Sequence, residues 1–249
     1  MPPLLKVKNL YVQYGGDQGK AVVDDISFEC QSGECLGLIG ESGCGKTTTA
    51  RAIAGLVPYQ GGDVFFKGNP LVRTTPRIQM IFQDHANSLN PRMTILQNII
   101  EPLRYQKIKP RDPISTGQEL LEKVGISIDR SHEYPHAFSG GQLQRVAIAR
   151  ALAPNPEILI CDEAVSALDL SIQAQILELL KNIQKDSGVA LLFVSHDLSV
   201  VRYLCPKTIV MANGKIIEEG PTQDLLDDPK HPSTRQLIEA IPGWMNQKS

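Results

Sequence analysis

The chain has 249 residues, 42% of them hydrophobic and 21% charged, with a formal net charge of −2 and a sequence pI near 6.2. That length suits one large core, or one core carrying an inserted subdomain. The charge balance offers no basic field to DNA or RNA, so nucleic acid is not an expected partner, and no apolar run nears the ~18 residues of a membrane span.

Residues 4–30 read as two strands. Leu5 and Val7 alternate with lysines, Ile26, Phe28 and Cys30 alternate with polar neighbours, and Gly15-Gly16-Asp17 separates the two runs. Tyr14 ends the first strand; a half-exposed strand tyrosine and an aromatic able to stack on a purine are both open readings. Gln31 to Glu34 turns the chain into a short buried strand, Cys35 to Ile39. Gly40-Glu41-Ser42-Gly43-Cys44-Gly45-Lys46-Thr47 follows, matching G-x-x-x-x-G-K-[ST] at every fixed position. A helix begins at Lys46, with Ala50, Ile53, Ala54 and Leu56 at helical spacing. Strand, glycine-rich turn and helix are the context that motif needs. Glycines let successive N–H groups curl around an anion, the helix adds its positive end, the Lys46 ammonium reaches phosphate oxygens, and the Thr47 hydroxyl suits Mg²⁺.

Asp63 to Gly68 is a further strand and turn, and Ile78 to Phe82 a buried strand ending at Gln83. From Asp84 to about Pro156 helical spacing takes over, at Ile95/Ile99/Leu103 and Leu120/Leu121/Val124, punctuated by Pro91, Pro102, Pro110, Pro113 and Pro135. The expected division is a core of residues 1–84 and 157–249 with a helical insert at 85–156. The core resumes with the strand Ile158 to Cys161, a helix through Ile172, Ile176, Leu179, Leu180 and Ile183, and a second buried strand, Ala190 to Val194, ending in Ser195-His196. Asn213-Gly214 between apolar stretches signals a hairpin, and short helices are expected around Gln223 to Leu226 and Ser233 to Ala240. Helices alternating with apolar strands argue for a largely parallel sheet. Met1 to Lys6 lacks a signal-peptide layout, and five cysteines without a C-x-x-C pair suit a reducing compartment.

An apolar strand ending in Asp162-Glu163, downstream of a phosphate loop, supplies the other half of a nucleoside-triphosphate site: Asp162 for Mg²⁺, Glu163 to polarise a water. Phe138-Ser139-Gly140-Gly141-Gln142 runs into a long helix, with Ser139 as its cap and bare glycine N–H groups, a second anion-binding device in one chain.

With these residues in place the sequence resembles the ATP-binding-cassette (ABC) ATPases over nearly its whole length. Gly40 to Thr47 is similar to their Walker A motif, Ile158 to Asp162 to Walker B, and Phe138 to Gln142 to the signature, with Phe where Leu is commoner. Gln83 resembles the Q-loop glutamine, Ser166 to Asp169 the D-loop, His196 the switch histidine, and Tyr14 the aromatic that stacks on adenine. The stretches Ser88 to Thr94, Tyr134 to Phe138 and His231 to Arg235 resemble the oligopeptide, dipeptide and nickel importer branch.

The resemblance implies an α/β fold: a RecA-like P-loop core, an N-terminal antiparallel β subdomain and an inserted α-helical subdomain. It implies ATP and Mg²⁺. Nucleotide contacts fall to Tyr14, Gly40, Glu41, Ser42, Gly43, Cys44, Gly45, Lys46, Thr47, Thr48, Gln83, Ser139, Gly140, Gly141 and Gln142. The metal would be held by Thr47, Gln83 and Asp162, with Glu163, His196 and Lys46 catalytic. It implies a head-to-tail dimer with a second ATPase subunit, commonly a different chain though a homodimer is possible. That motor would sit at the cytoplasmic face beneath two membrane subunits, fed by an external binding protein, with residues about Ala86 to Leu103 receiving the membrane subunit. Peptides or a nickel complex would be the cargo. A soluble ABC ATPase and an exporter motor are the alternatives. The branch's cysteine-rich C-terminal extension is missing, so no iron–sulfur cluster is expected.

Overall fold

Alternating apolar and charged side chains make the first strands one-faced. β1 (Leu5–Gln13) buries Leu5, Val7, Leu10 and Val12 and exposes Lys6 and Lys8. The step from Val7 to Leu10 breaks the two-residue period because Asn9 has a left-handed backbone, φ 48°. Asp25 opposite does likewise, φ 58°, and the Asn9 side-chain amide donates to its carboxylate at 2.6 Å. This irregularity keeps Leu10 and Val12 on the buried face. β2 (Ala21–Cys30) and β4 (Gly61–Phe66) pair antiparallel with β1 on either side, and a short β5 (Asn69–Pro70) extends the sheet beyond β4.

The computed structural model describes residues 2–15, 19–84, 88–105, 112–166 and 168–239. Gly16 and Asp17 of the first turn, Ala86, Pro110, Ala167 and the expected helix end at Ala240 lie outside the described residues. The chain divides into two compact units, Met1–Thr74 with Ala190–Ser249, and Thr75–Val189.

The first unit holds the antiparallel sheet and a group of buried strands. β3 (Cys35–Gly40) is flanked by β8 (Ala190–Ser195) and β9 (Lys207–Ala212), both parallel to it. Continuous apolar sequence in β3 and β8 fits burial on both faces. β10 (Lys215–Pro221) returns antiparallel on β9 through Asn213 (φ 49°) and Gly214 (φ 80°), the two positive dihedrals of a tight hairpin turn. Helices α1 (Lys46–Ile53), α6 (Leu198–Leu204), α7 (Thr222–Asp227) and α8 (Pro232–Glu239) complete it.

The second unit pairs β6 (Ile78–Ile81) parallel with β7 (Ile158–Asp162) and, among the described residues, adds the α-helices α2 (Ile95–Ile100), α3 (Pro113–Lys123), α4 (Gly140–Leu152) and α5 (Leu170–Ser187). Each begins at a side-chain cap. Thr94 and Ser139 form capping boxes with Gln97 and Gln142, Asp112 caps ahead of Pro113, and Asp169 accepts from the Ile172 amide. Asn98 is buried but fully used. Its amide donates to the Asn90, Met93 and Thr94 carbonyls, and its oxygen accepts from the Asn90 amide, which fixes the Asn90 to Thr94 turn. No described helix is long and apolar enough to cross a membrane.

Candidate nucleotide site

Parallel pairing sets what each unit can present. In the first, β3 and β8 are registered with Ile39 opposite Ser195, so the phosphate loop after Gly40 and His196 leave the same, carboxyl, end of adjacent strands. In the second, Ile81 lies opposite Cys161, which brings Gln83 and Asp162-Glu163 to one strand end in the same way. Asp162 is buried, Glu163 half-buried, and Gln83 and His196 exposed.

The phosphate loop is held from below. Gly45 has φ 108°, and a Cβ there would stand 2.5 Å from the Val22 carbonyl oxygen, so only glycine fits. Gly214 of the β9–β10 turn donates to the Cys44 carbonyl at 3.0 Å and accepts from the Asp24 amide at 2.8 Å, tying loop, hairpin and β2 together. Inside the curl Lys46 is buried, and its ammonium is held by backbone oxygens. It donates to the carbonyls of Gly40 and Glu41, each at 2.8 Å, with Cys44 Sγ at 3.8 Å. Among the described residues it forms no ion pair. A buried cation matched only by neutral dipoles sits best beside an anion. The residues fit a polyphosphate. Thr47 and Thr48 are half-buried in the first turn of α1; Glu41 and Ser42 are exposed. Tyr14 stands just beyond β1 with 49% of its surface exposed, and no hydrogen bond ties it to the loop among the described residues.

Glu163 carries a positive φ of 49°, uncommon for a residue with a side chain. The Ser166 amide and hydroxyl donate to its carbonyl at 3.2 and 3.0 Å and hold that conformation. Strain kept at a strand end beside a buried aspartate is the kind that accompanies function. His196 lies in a tight strand-to-helix turn: the Asp197 amide donates to Ser195 Oγ at 2.9 Å, and Asp197 caps α6 through the Ser199 amide.

Ser139 Oγ accepts from the Gln142 amide while Gln142 Oε1 accepts from the Ser139 amide, so the serine proton remains available to an external acceptor. Gly141 has a packing role invisible in the sequence: a Cβ there would lie 2.5 Å from Ile172 Cγ2 on α5. Phe138 is buried, and the Arg130 guanidinium carbon lies 3.9 Å from its ring centroid. In the sequence Ile172 is legible only as part of a helix's apolar stripe, not as a neighbour of Gly141, and the Arg130–Glu133 spacing signals only a local ion pair. The five cysteines are buried thiols outside any disulfide, with Cys35 and Cys205 in a sulfur–sulfur hydrogen bond of 3.1 Å.

A phosphate loop at one strand end, Asp-Glu at another and a serine-capped Gly-Gly helix define an ATP-hydrolysing cassette. The family pattern for ABC transporters matches residues 23–166, and the chain belongs to that family, as an ATPase that hydrolyses ATP to drive transport. Its particular relatives are importer subunits. It is 45% identical to the oligopeptide transport ATP-binding protein OppF of Bacillus subtilis (strain 168), over 96% of this chain and 82% of that one. It is also 45% identical to the glutathione import ATP-binding protein GsiA of Escherichia coli (strain K12), over 96% of this chain but only 41% of that longer protein. Its fold matches CbiO1 of Clostridium perfringens, part of the ABC transporter complex cbiONQ, at a TM-score of 0.82 with 26% identity over the whole of both chains. It matches the dimeric ATP-binding cassette MJ0796, in a post-hydrolysis state with ADP and Pi, at 0.75 with 28% identity, over 88% of this chain and 98% of that one.

Proposed function

We propose that the chain powers uptake of short peptides, as one of two ATPase subunits at the cytoplasmic face of a membrane importer. The observation that carries the cargo is the 45% identity to an oligopeptide transport subunit across 82% of its length. Sequence motifs alone leave peptide and nickel both open, and likeness to the oligopeptide and glutathione proteins favours peptides.

In this reading Lys46 exchanges its two carbonyl partners for β- and γ-phosphate oxygens, while the loop amides from Glu41 to Thr48 cradle the same phosphates. Tyr14 stacks on the adenine. Thr47, Gln83 and Asp162 are the groups that would hold Mg²⁺, which supplies charge neutralisation on the phosphates. Glu163 orients water and accepts its proton as attack on the γ-phosphorus proceeds, and His196 contacts the γ-phosphate. Ser139 and the amides of Gly140, Gly141 and Gln142 cap the nucleotide bound by the neighbouring ATPase subunit, so neither subunit has a complete site alone. ATP closes the dimer and hydrolysis releases it. Residues about 86–103 receive the membrane subunits, within the expected helical insert at 85–156.

The test is reconstitution of the full transporter in vesicles, with its membrane subunits and binding protein. ATP-dependent accumulation of a labelled tri- to pentapeptide is expected, with at least roughly 100-fold lower turnover for Glu163→Gln and ATP-dependent trapping of its closed dimer. Uptake of Ni²⁺ but not peptide would overturn the cargo. Rapid hydrolysis by Glu163→Gln would overturn the role of that carboxylate.

A further inference from the structure

The residues just upstream of Ser139 are held by one side chain. Arg130 grips Glu133 with Nε at 3.1 and 3.2 Å from its two oxygens and Nη2 at 2.8 Å. Nη2 also donates to the Ala137 carbonyl at 3.0 Å, and the guanidinium lies over the Phe138 ring at 3.9 Å. Its hydrogen bonds hold the Glu133 carboxyl below the usual carboxylate range, so the pair stays charged at neutral pH. Backbone bonds anchor the other side of the segment. The Ile95 and Leu96 amides, in the first turn of α2, donate to the carbonyls of Glu133 and Ser131 at 2.9 and 3.0 Å. Arg130 therefore touches both residues that precede the cap, one through its carbonyl and one through its ring face, from a mount fixed on α2.

We propose that Arg130 is a positioning residue that sets Ser139 and the Gly140-Gly141 amides in register for the partner's γ-phosphate. The inference rests on the dimer reading above. A planar fork that also stacks cannot be replaced by a point charge, so lysine should not substitute. Displacement of a reacting group by about 1 Å costs on the order of 100-fold, and partial loosening less.

The experiment uses the chain with its partner ATPase subunit. Arg130→Met is expected to lower kcat about tenfold, leaving affinity for a fluorescent ATP analogue at the chain's own phosphate loop within about twofold. In a Glu163→Gln background it should raise the ATP concentration needed for closed dimer by a similar factor. Arg130→Lys keeps the charge and should still lose several-fold. In a Phe138→Leu background Arg130→Met should cost much less, because the stacked partner is already gone. Wild-type kcat in Arg130→Lys, or equal losses from Arg130→Met with and without the Phe138→Leu change, would overturn the proposal. Absence of any ATP-dependent dimer with Glu163→Gln alone would overturn the dimer reading beneath it, a failure distinct from normal dimerisation by the Arg130→Met/Glu163→Gln chain.

Discussion

Gly141 offers the sharpest quantitative test, because its alanine variant should change sign with its neighbour. Alanine at position 141 sets a methyl 2.5 Å from Ile172 Cγ2, with Ile172 Cβ and Cδ1 both 3.7 Å away. Forcing an extra carbon into such a contact costs about 1–3 kcal/mol. Against that, alanine gains roughly 0.8–1 kcal/mol over glycine within a helix. The net is a loss of about 0–2 kcal/mol, or a fall in Tm of up to about 8 °C for a chain of this size. Ile172→Ala removes the Cγ2 methyl. In that background the clash is gone and only propensity remains, so adding Gly141→Ala should raise Tm, by about 2–4 °C. Thermal denaturation of the four proteins in the cycle reads this directly. An equal drop in Tm from Gly141→Ala in both backgrounds would refute the packing argument. ATP turnover of the double variant separates packing from nucleotide contact: recovery assigns the glycine requirement to Ile172, and persistent loss assigns it to the contact proposed above between this amide and the partner's nucleotide.

Two further outcomes follow from the phosphate loop and the thiols. Gly45→Ala must place a side chain at φ 108° and 2.5 Å from the Val22 carbonyl, so affinity for a fluorescent ATP analogue should fall at least about tenfold, measured by titration. Burial first, then Glu34 and Cys35 nearby, pushes the Cys30 thiol up from 9.0 to about 12. The unfolded chain ionises near the lower value and the native chain near the higher. Stability from this group is thus complete below about pH 9 and declines as pH rises towards 12, by roughly 1.4 kcal/mol per pH unit. Urea midpoints at about pH 8 and about pH 10.5, on either side of the lower value, should diverge for the wild type and diverge less for Cys30→Ala, the remainder coming from the Cys35 thiol, which its hydrogen bond to Cys205 and burial also push up.

The elements were largely legible because they are written in local patterns. Alternation gave β1 and β2, apolar runs gave β3, β7 and β8, and Asn213-Gly214 gave the hairpin. The candidate site positions follow a related pattern: Gly40, Asp162 and Ser195 are where apolar runs stop, and parallel pairing brings the ends of β3 and β8 together in the first unit and those of β6 and β7 in the second. What escaped depends on residues far apart in sequence. Nothing local in Gly141 announces Ile172, and nothing in Gly214 announces the Cys44 carbonyl. The left-handed backbone of Glu163 escaped because its cause, capture of its carbonyl by Ser166, is a turn geometry that a mixed polar sequence does not advertise. Asn9 and Asp25 hid a change of period for the same reason, since each alone is an ordinary polar residue of a strand.

The hairpin bond from Gly214 to Cys44 makes an outlying bend a support of the phosphate loop. Turns built on Asn-Gly ordinarily accept purification tags or reporter insertions, but lengthening this one would withdraw a strut from beneath a loop that lies far earlier in the polypeptide. Attachment points for labels are better chosen elsewhere on the surface.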